Sequence, residues 1–134
     1  MTEHRQHPSS VVSFKSAHDF DTTIAQLKRA LDGVGSTVFA DVDQREAASL
    51  VGLALRPTRL ILFGNPKAGT PIMAANAHAA LELPLRLVVW QDDEGHAVVD
   101  YLDVSQTLGP LYAIAPELLG PIQRVAALLQ AAVQ

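Results

Sequence analysis

The segment Gly64-Asn65-Pro66-Lys67-Ala68-Gly69-Thr70-Pro71 follows an apolar run with two glycines, two prolines, an amide and a cation. Glycine lets a ligand approach the backbone without a Cβ in the way, and a cation beside a helix start favours a carboxylate or phosphate. Gly64 and Gly69 have the separation of a phosphate-binding loop, but Thr70 and Pro71 follow where that motif needs lysine and a hydroxyl residue, so the nucleotide motif fails. The expected ligand site is Gly64, Asn65, Lys67, Gly69 and Thr70, with Lys67 as charge partner and Arg56 or Arg59 as a second cation. The same residues also read as a tight turn closed by a helix cap, with Thr70 as the capping hydroxyl and Pro71 at the first helical position.

Other reactive side chains are scattered. His18, His78 and His96 have no metal-ligand spacing beyond His78 and Glu82 at i and i+4, which reads as a surface contact, so no metal site is expected. Ser49 and Ser105 lie in no nucleophile-elbow context. Catalysis would need Lys67 paired with a carboxylate such as Asp43 or Asp100, and no motif brings them together. Trp90 and Tyr101 read as packing residues with a polar handle.

The elements that must position these residues follow from periodicity. Val11 to Lys15 is a short β-rich run, and Ser16 and Asp19 have the spacing of a helix cap. Phe20, Ile24, Leu27, Leu31 and Val34 then recur on one helical face up to Gly33 and Gly35. Ser36 to Val42 alternates as a strand, with Val38 assigned to the core face, and Asp43 and Glu46 have capping-box spacing ahead of a short helix. Leu60 to Phe63 and Leu85 to Trp90 read as central strands, with Leu60, Leu62 and Val88 assigned to the core. An Ala-rich helix is expected from Thr70 and Pro71 to Pro84, and a polar turn at Asp92 to Gly95 joins Trp90 to a strand over Ala97 to Leu102. Gly109, Pro110, Pro116, Gly120 and Pro121 mark an irregular stretch before a terminal amphipathic helix carrying Ile122, Val125, Ala126 and Leu129. Late hairpin-style connections favour an α+β fold, an antiparallel sheet with helices on one face.

The chain has 134 residues, 49% of them hydrophobic and 18% charged, with no cysteine and a formal net charge of -4. That length suits one domain, residues 1–134, able to bury its own core, with residues 1–8 expected to fray. Absence of cysteine excludes disulfides, thiolate metal sites and thiol nucleophiles. The acidic balance disfavours nucleic acid and anionic membranes as partners, and the polar start and lack of a long apolar segment lead us to expect a soluble, cytoplasmic protein.

The stretches VGLALRPTRLILFGNPKAGTPIM (51–73) and LELPLRLVVWQDDEG (81–95), together with Tyr101, closely resemble domain of unknown function family 302, found in bacteria and archaea. The resemblance covers roughly residues 11–110. It implies a TATA-binding-protein-like β-α-β(4)-α fold, usually paired as a homodimer, with no established activity. Gln44 follows Asp43 where many members carry histidine, which sets aside any role that needs an imidazole there. The fold does not imply DNA binding, because the strands carry Asp41, Asp100 and Asp103 against Arg59 and Arg86. The function expected is a non-catalytic, homodimeric binding or sensing module for a small anionic ligand, with no cofactor. The alternative is an enzyme acting on a small anionic substrate through Lys67 and a nearby acid.

Overall fold

The structure, a computed structural model, describes residues 7–134. His4 and most of the terminus expected to fray lie outside the described residues. In chain order the elements are β1 (Val11–Lys15), α1 (Phe20–Gly33), β2 (Thr37–Asp43), α2 (Gln44–Leu50), β3 (Thr58–Gly64), α3 (Pro66–Ala75), a 3-10 helix (Ala77–Glu82), β4 (Leu85–Gln91), β5 (Ala97–Leu102), α4 (Ser105–Tyr112), α5 (Pro116–Gln123) and α6 (Val125–Ala132). The strands form one antiparallel sheet in the order β1-β5-β4-β3-β2. This is the α+β architecture that the sequence implies.

Local signals place the first elements. Asp19, rather than Ser16, caps α1: its carboxylate accepts from the Thr22 amide at 2.8 Å, while the Ser16 hydroxyl accepts from the His18 amide at 3.0 Å. Asp43 caps α2 by accepting from the Glu46 amide at 3.0 Å. In the β4–β5 turn the Asp92 carboxylate accepts from the Glu94 and His96 amides, and Gly95 has φ +88°, a left-handed conformation that favours glycine.

The core lies on one face of the sheet. From α1 it takes Ile24, Leu27 and Leu31, and from the strands Ile61, Phe63, Leu85, Leu87, Val89, Val99 and Tyr101. Two of the strand assignments are thereby corrected: the core residues of β3 are Ile61 and Phe63 instead of Leu60 and Leu62, and those of β4 are Leu87 and Val89 instead of Val88. Phe20, Val38 and Val125 are half-buried against this core, and Ile122 is inside it. Pairing of Ile61 with Leu87, and of Leu87 with Tyr101, carries one buried row across the sheet.

Two further boundaries differ from expectation. The Gly/Pro-rich stretch is helical, because Pro116 starts α5 where its missing N–H costs nothing and burial of Leu108, Leu119 and Ile122 offsets the bonds lost at Pro110 and Pro121. The terminal helix is split at Arg124, with Ile122 in α5 and Val125, Ala126 and Leu129 in α6.

The Tyr101 ring stands 6.2 Å from that of Phe63, and its enclosed hydroxyl has no hydrogen-bond partner among the described residues. Burial, reinforced by Asp103, pushes its ionisation well above the ordinary phenol range. Tyr101→Phe removes an enclosed unpaired donor while keeping the ring, so it is expected to stabilise the fold by about 1 kcal/mol. A thermal melt checks this, and a lower melting temperature would show that the hydroxyl is satisfied in solution.

Candidate functional site

The segment expected as a loop is the start of a helix. Asn65 is the N-cap of α3, its side-chain oxygen accepting from the Lys67 amide at 3.0 Å, and Pro66 takes the first helical position. The expected start at Thr70 and Pro71 is therefore corrected, because both lie inside the helix. The helix expected to reach Pro84 as one piece is also broken at Asn76, which caps the following 3-10 helix by accepting from the His78 amide at 3.0 Å. The first turn of α3 offers an anion few donors: Pro66 has no N–H, the Lys67 amide is capped, and the Ala68 and Gly69 amides bond to the Asn65 carbonyl at 2.9 Å.

Above this turn lies a cavity of about 220 Å³ whose walls are almost entirely apolar. Gly64, Asn65, Gly69 and Thr70 line it, so four of the expected site residues share one wall. Sequence reading missed the rest of the lining, which includes Phe39, Met73, Leu83 and Ile122. Phe39 reaches it because the β2–β3 register slips between Val38 and Ala40, and such a bulge re-aims a side chain. A Cβ at Gly64 would stand 3.6 Å from Phe39 Cε2, and one at Gly69 would stand 3.6 Å from Leu83 Cδ1. Both distances are ordinary contacts, so these glycines widen the cavity without being required by the backbone.

The expected cations are not gathered there. Lys67 is exposed and contributes nothing to the cavity lining. Arg59 lies five residues before Gly64 on β3, about 17 Å along an extended strand, and is bonded to Asp41 through Nε at 2.7 Å and Nη2 at 2.6 Å. Arg56 donates to Asp93 at 2.9 Å and to the Gln91 carbonyl at 3.2 Å, with its guanidinium 5.7 Å from the Trp90 ring centre.

Among the described residues no acid forms an ion pair with Lys67. Asp43 stands opposite Arg59 in the strand register at the far end of β3 and caps α2, and Asp100, opposite Val88 on the sheet face away from the core, accepts from Trp90 Nε1 at 2.9 Å. His78 and Glu82 do not pair: Glu82 accepts from the Tyr112 hydroxyl at 2.9 Å. Ligand-type atoms of Asp92, Glu94 and His96 come within 4.8 Å of one another in the β4–β5 turn, but Asp92 is already engaged by backbone amides and the other two are exposed.

Known proteins resemble the chain in sequence and in fold. It is 38% identical over 87 residues to a fluoride-specific ion channel of Brucella suis and to one of Brucella melitensis. The match covers 65% of the chain but only 34% and 32% of those relatives, so the chain spans about a third of their length. Among the described residues no helix is long and apolar enough to cross a membrane. The crystal structure of an uncharacterised conserved protein from Bacillus stearothermophilus superposes with a TM-score of 0.79 at 20% identity, covering 94% of this chain and 97% of that one, which shows a shared fold. That structure carries the description DUF302, and residues 12–134 match the same family, domain of unknown function DUF302, to which the chain therefore belongs.

Proposed function

We propose that the chain is a non-catalytic, homodimeric binding module that holds a small, mainly apolar ligand in the cavity above Gly64, Asn65, Gly69 and Thr70. The observation that carries this reading is the cavity itself, a concave apolar site set on a strand fixed by Ile61 and Phe63 in the core. The enzyme alternative has less support, because neither Asp43 nor Asp100 is placed beside Lys67.

Pairing is supported by the sheet face turned away from the core. It carries Val11, Leu60, Leu62, Val88 and Leu102, all only half-buried, while Leu50, Val51 and Leu53 stand 81%, 73% and 65% exposed. Apolar surface of this kind marks an interaction site, and isologous pairing is the default for identical chains.

The Brucella relatives support a second, wider reading. A channel must cross the bilayer, and the third of it that this chain resembles corresponds to a fold with no spanning helix among the described residues, so the matched portion reads as an extramembrane module. We infer that a module of this kind can work beside anion transport.

Native mass spectrometry tests the main proposal in one measurement. Wild-type protein is expected to fly as a dimer with a retained small molecule. Thr70→Trp, at an exposed position on the cavity rim, should keep the dimer and lose the added mass. A monomer, or a ligand retained by Thr70→Trp, would sink the proposal.

A further inference from the structure

A neighbouring hollow adjoins the cavity at Asn65. This second hollow, of about 440 Å³, opens between the end of α1 and helices α5 and α6, and it shares Asn65, Ala68, Leu85 and Ile122 with the first. The two hollows adjoin at these four residues, and we read them as the two arms of one trough, from Phe39 and Met73 on one side of Ala68 to Val125 and Leu128 on the other. Its length and apolar walls suit a chain-like ligand better than a compact one.

The charge pattern says which end of such a ligand is polar. The chain has 14 acidic residues and a net charge of -4, yet among the described residues no Asp or Glu lines either hollow. Among the described residues one Lys or Arg lines these hollows, Arg124, at the junction of α5 and α6. Among the described residues it forms no ion pair, and its Nη1 lies 3.7 Å from where a Cβ of Gly120 would stand, so the guanidinium folds back along α5. A guanidinium free of protein carboxylates can take a ligand carboxylate through two parallel hydrogen bonds. The first-turn amides of α3 are already bonded, which leaves Arg124 as the anchor for negative charge.

We propose that the trough binds a single-chain amphipathic carboxylate, with its carboxylate on Arg124 and its hydrocarbon tail across Ala68 into the pocket of Phe39, Met73 and Leu83. This rests on the binding-module reading and adds the class and direction of the ligand. The tail fills apolar volume that water hydrates poorly, and the carboxylate meets the lone cation with no like charge in the lining.

Calorimetry with decanoate, and with decanol as the uncharged probe, tests it on the intact protein. Decanoate is expected to bind about tenfold more tightly than decanol, and Arg124→Gln should erase that difference without weakening decanol. Val34→Trp obstructs only the second hollow, from a position 50% exposed, and Thr70→Trp obstructs only the first; each should weaken decanoate about tenfold or more with the melting temperature unchanged. Loss of binding in Thr70→Trp but not in Val34→Trp would confine the ligand to the first cavity, overturning this inference while leaving the binding module standing. No effect from either tryptophan would overturn both. Failure of decanoate to bind, or a decanoate preference that survives Arg124→Gln, overturns the carboxylate assignment.

Discussion

Replacing Phe63 by alanine is expected to lower the unfolding free energy by about 3–5 kcal/mol, whereas Leu62→Ala, one residue earlier on the same strand, should cost the isolated chain about 1 kcal/mol. Phe63 is fully buried, paired with Leu85 on β4 and Val38 on β2, and in tilted contact with the Tyr101 ring. Its loss leaves a cavity that neighbours on three strands cannot close, so the cost includes both the lost transfer energy and the void. Leu62 is half-buried on the opposite face, beside Arg86 and Ala40, where water or a second copy can fill the space. Urea denaturation at low protein concentration separates the two. Equal losses would mean that the two faces of β3 have been exchanged.

The contrast also explains which parts of the fold are legible in the sequence. Alternation identifies a strand's buried side only where the other side is polar, and Leu60-Ile61-Leu62-Phe63 is apolar throughout. Its face is decided by register: Asp41 opposite Ile61 lets β2 meet Lys28 of α1, which fixes the helix-covered side. In α1 the polar residues intervene between Ile24, Leu27 and Leu31, so its buried face is readable directly. The start of α3 is ambiguous for a different reason. Asn65-Pro66 and Thr70-Pro71 both carry a cap followed by proline, and the earlier pair wins because it immediately follows β3. The glycines and Thr70 of the candidate site are contiguous in sequence and visible there. The rest of the lining comes from Phe39 at a bulge in β2, Met73 one turn farther along α3, Leu83 and Pro84 after the 3-10 helix, Leu85 of β4 and Ile122 of α5, so tertiary packing assembles most of it. The direction of Lys67 depends on the same helix start, which explains why its charge is separated from the cavity.

Asp41 is the second position where one substitution should have a large effect. Its carboxylate receives the Arg59 fork and also Lys28 Nζ at 2.6 Å, joining β2, β3 and α1. The hydrogen bonds from Arg59, ahead of those from Lys28, hold its acidity at about 2 against an ordinary 3.8, although burial pulls the other way. An unfolded carboxyl thus binds its proton more readily than the folded one, and the associated stability is fully present above pH 3.8 and lost as pH falls through about 2. The difference corresponds to about 2 kcal/mol, carried mainly by Arg59, because the Lys28 side chain is 39% exposed and screened by solvent. Asp41→Asn should therefore be about 2 kcal/mol less stable at neutral pH and approach wild type near pH 2. Denaturant midpoints measured across that range check this; a gap that stays constant with pH would assign the loss to packing instead. The consequence reaches the apolar cavity proposed as the ligand site, because Asp41 lies two residues beyond Phe39 on the bulged edge strand. With the clip released, β2 is held mainly by its pairing to β3, and the Phe39 wall is held less firmly. On the proposed binding reading, Asp41→Asn should bind the ligand more weakly at neutral pH although Asp41 does not line the cavity, through loss of preorganisation rather than of any direct contact.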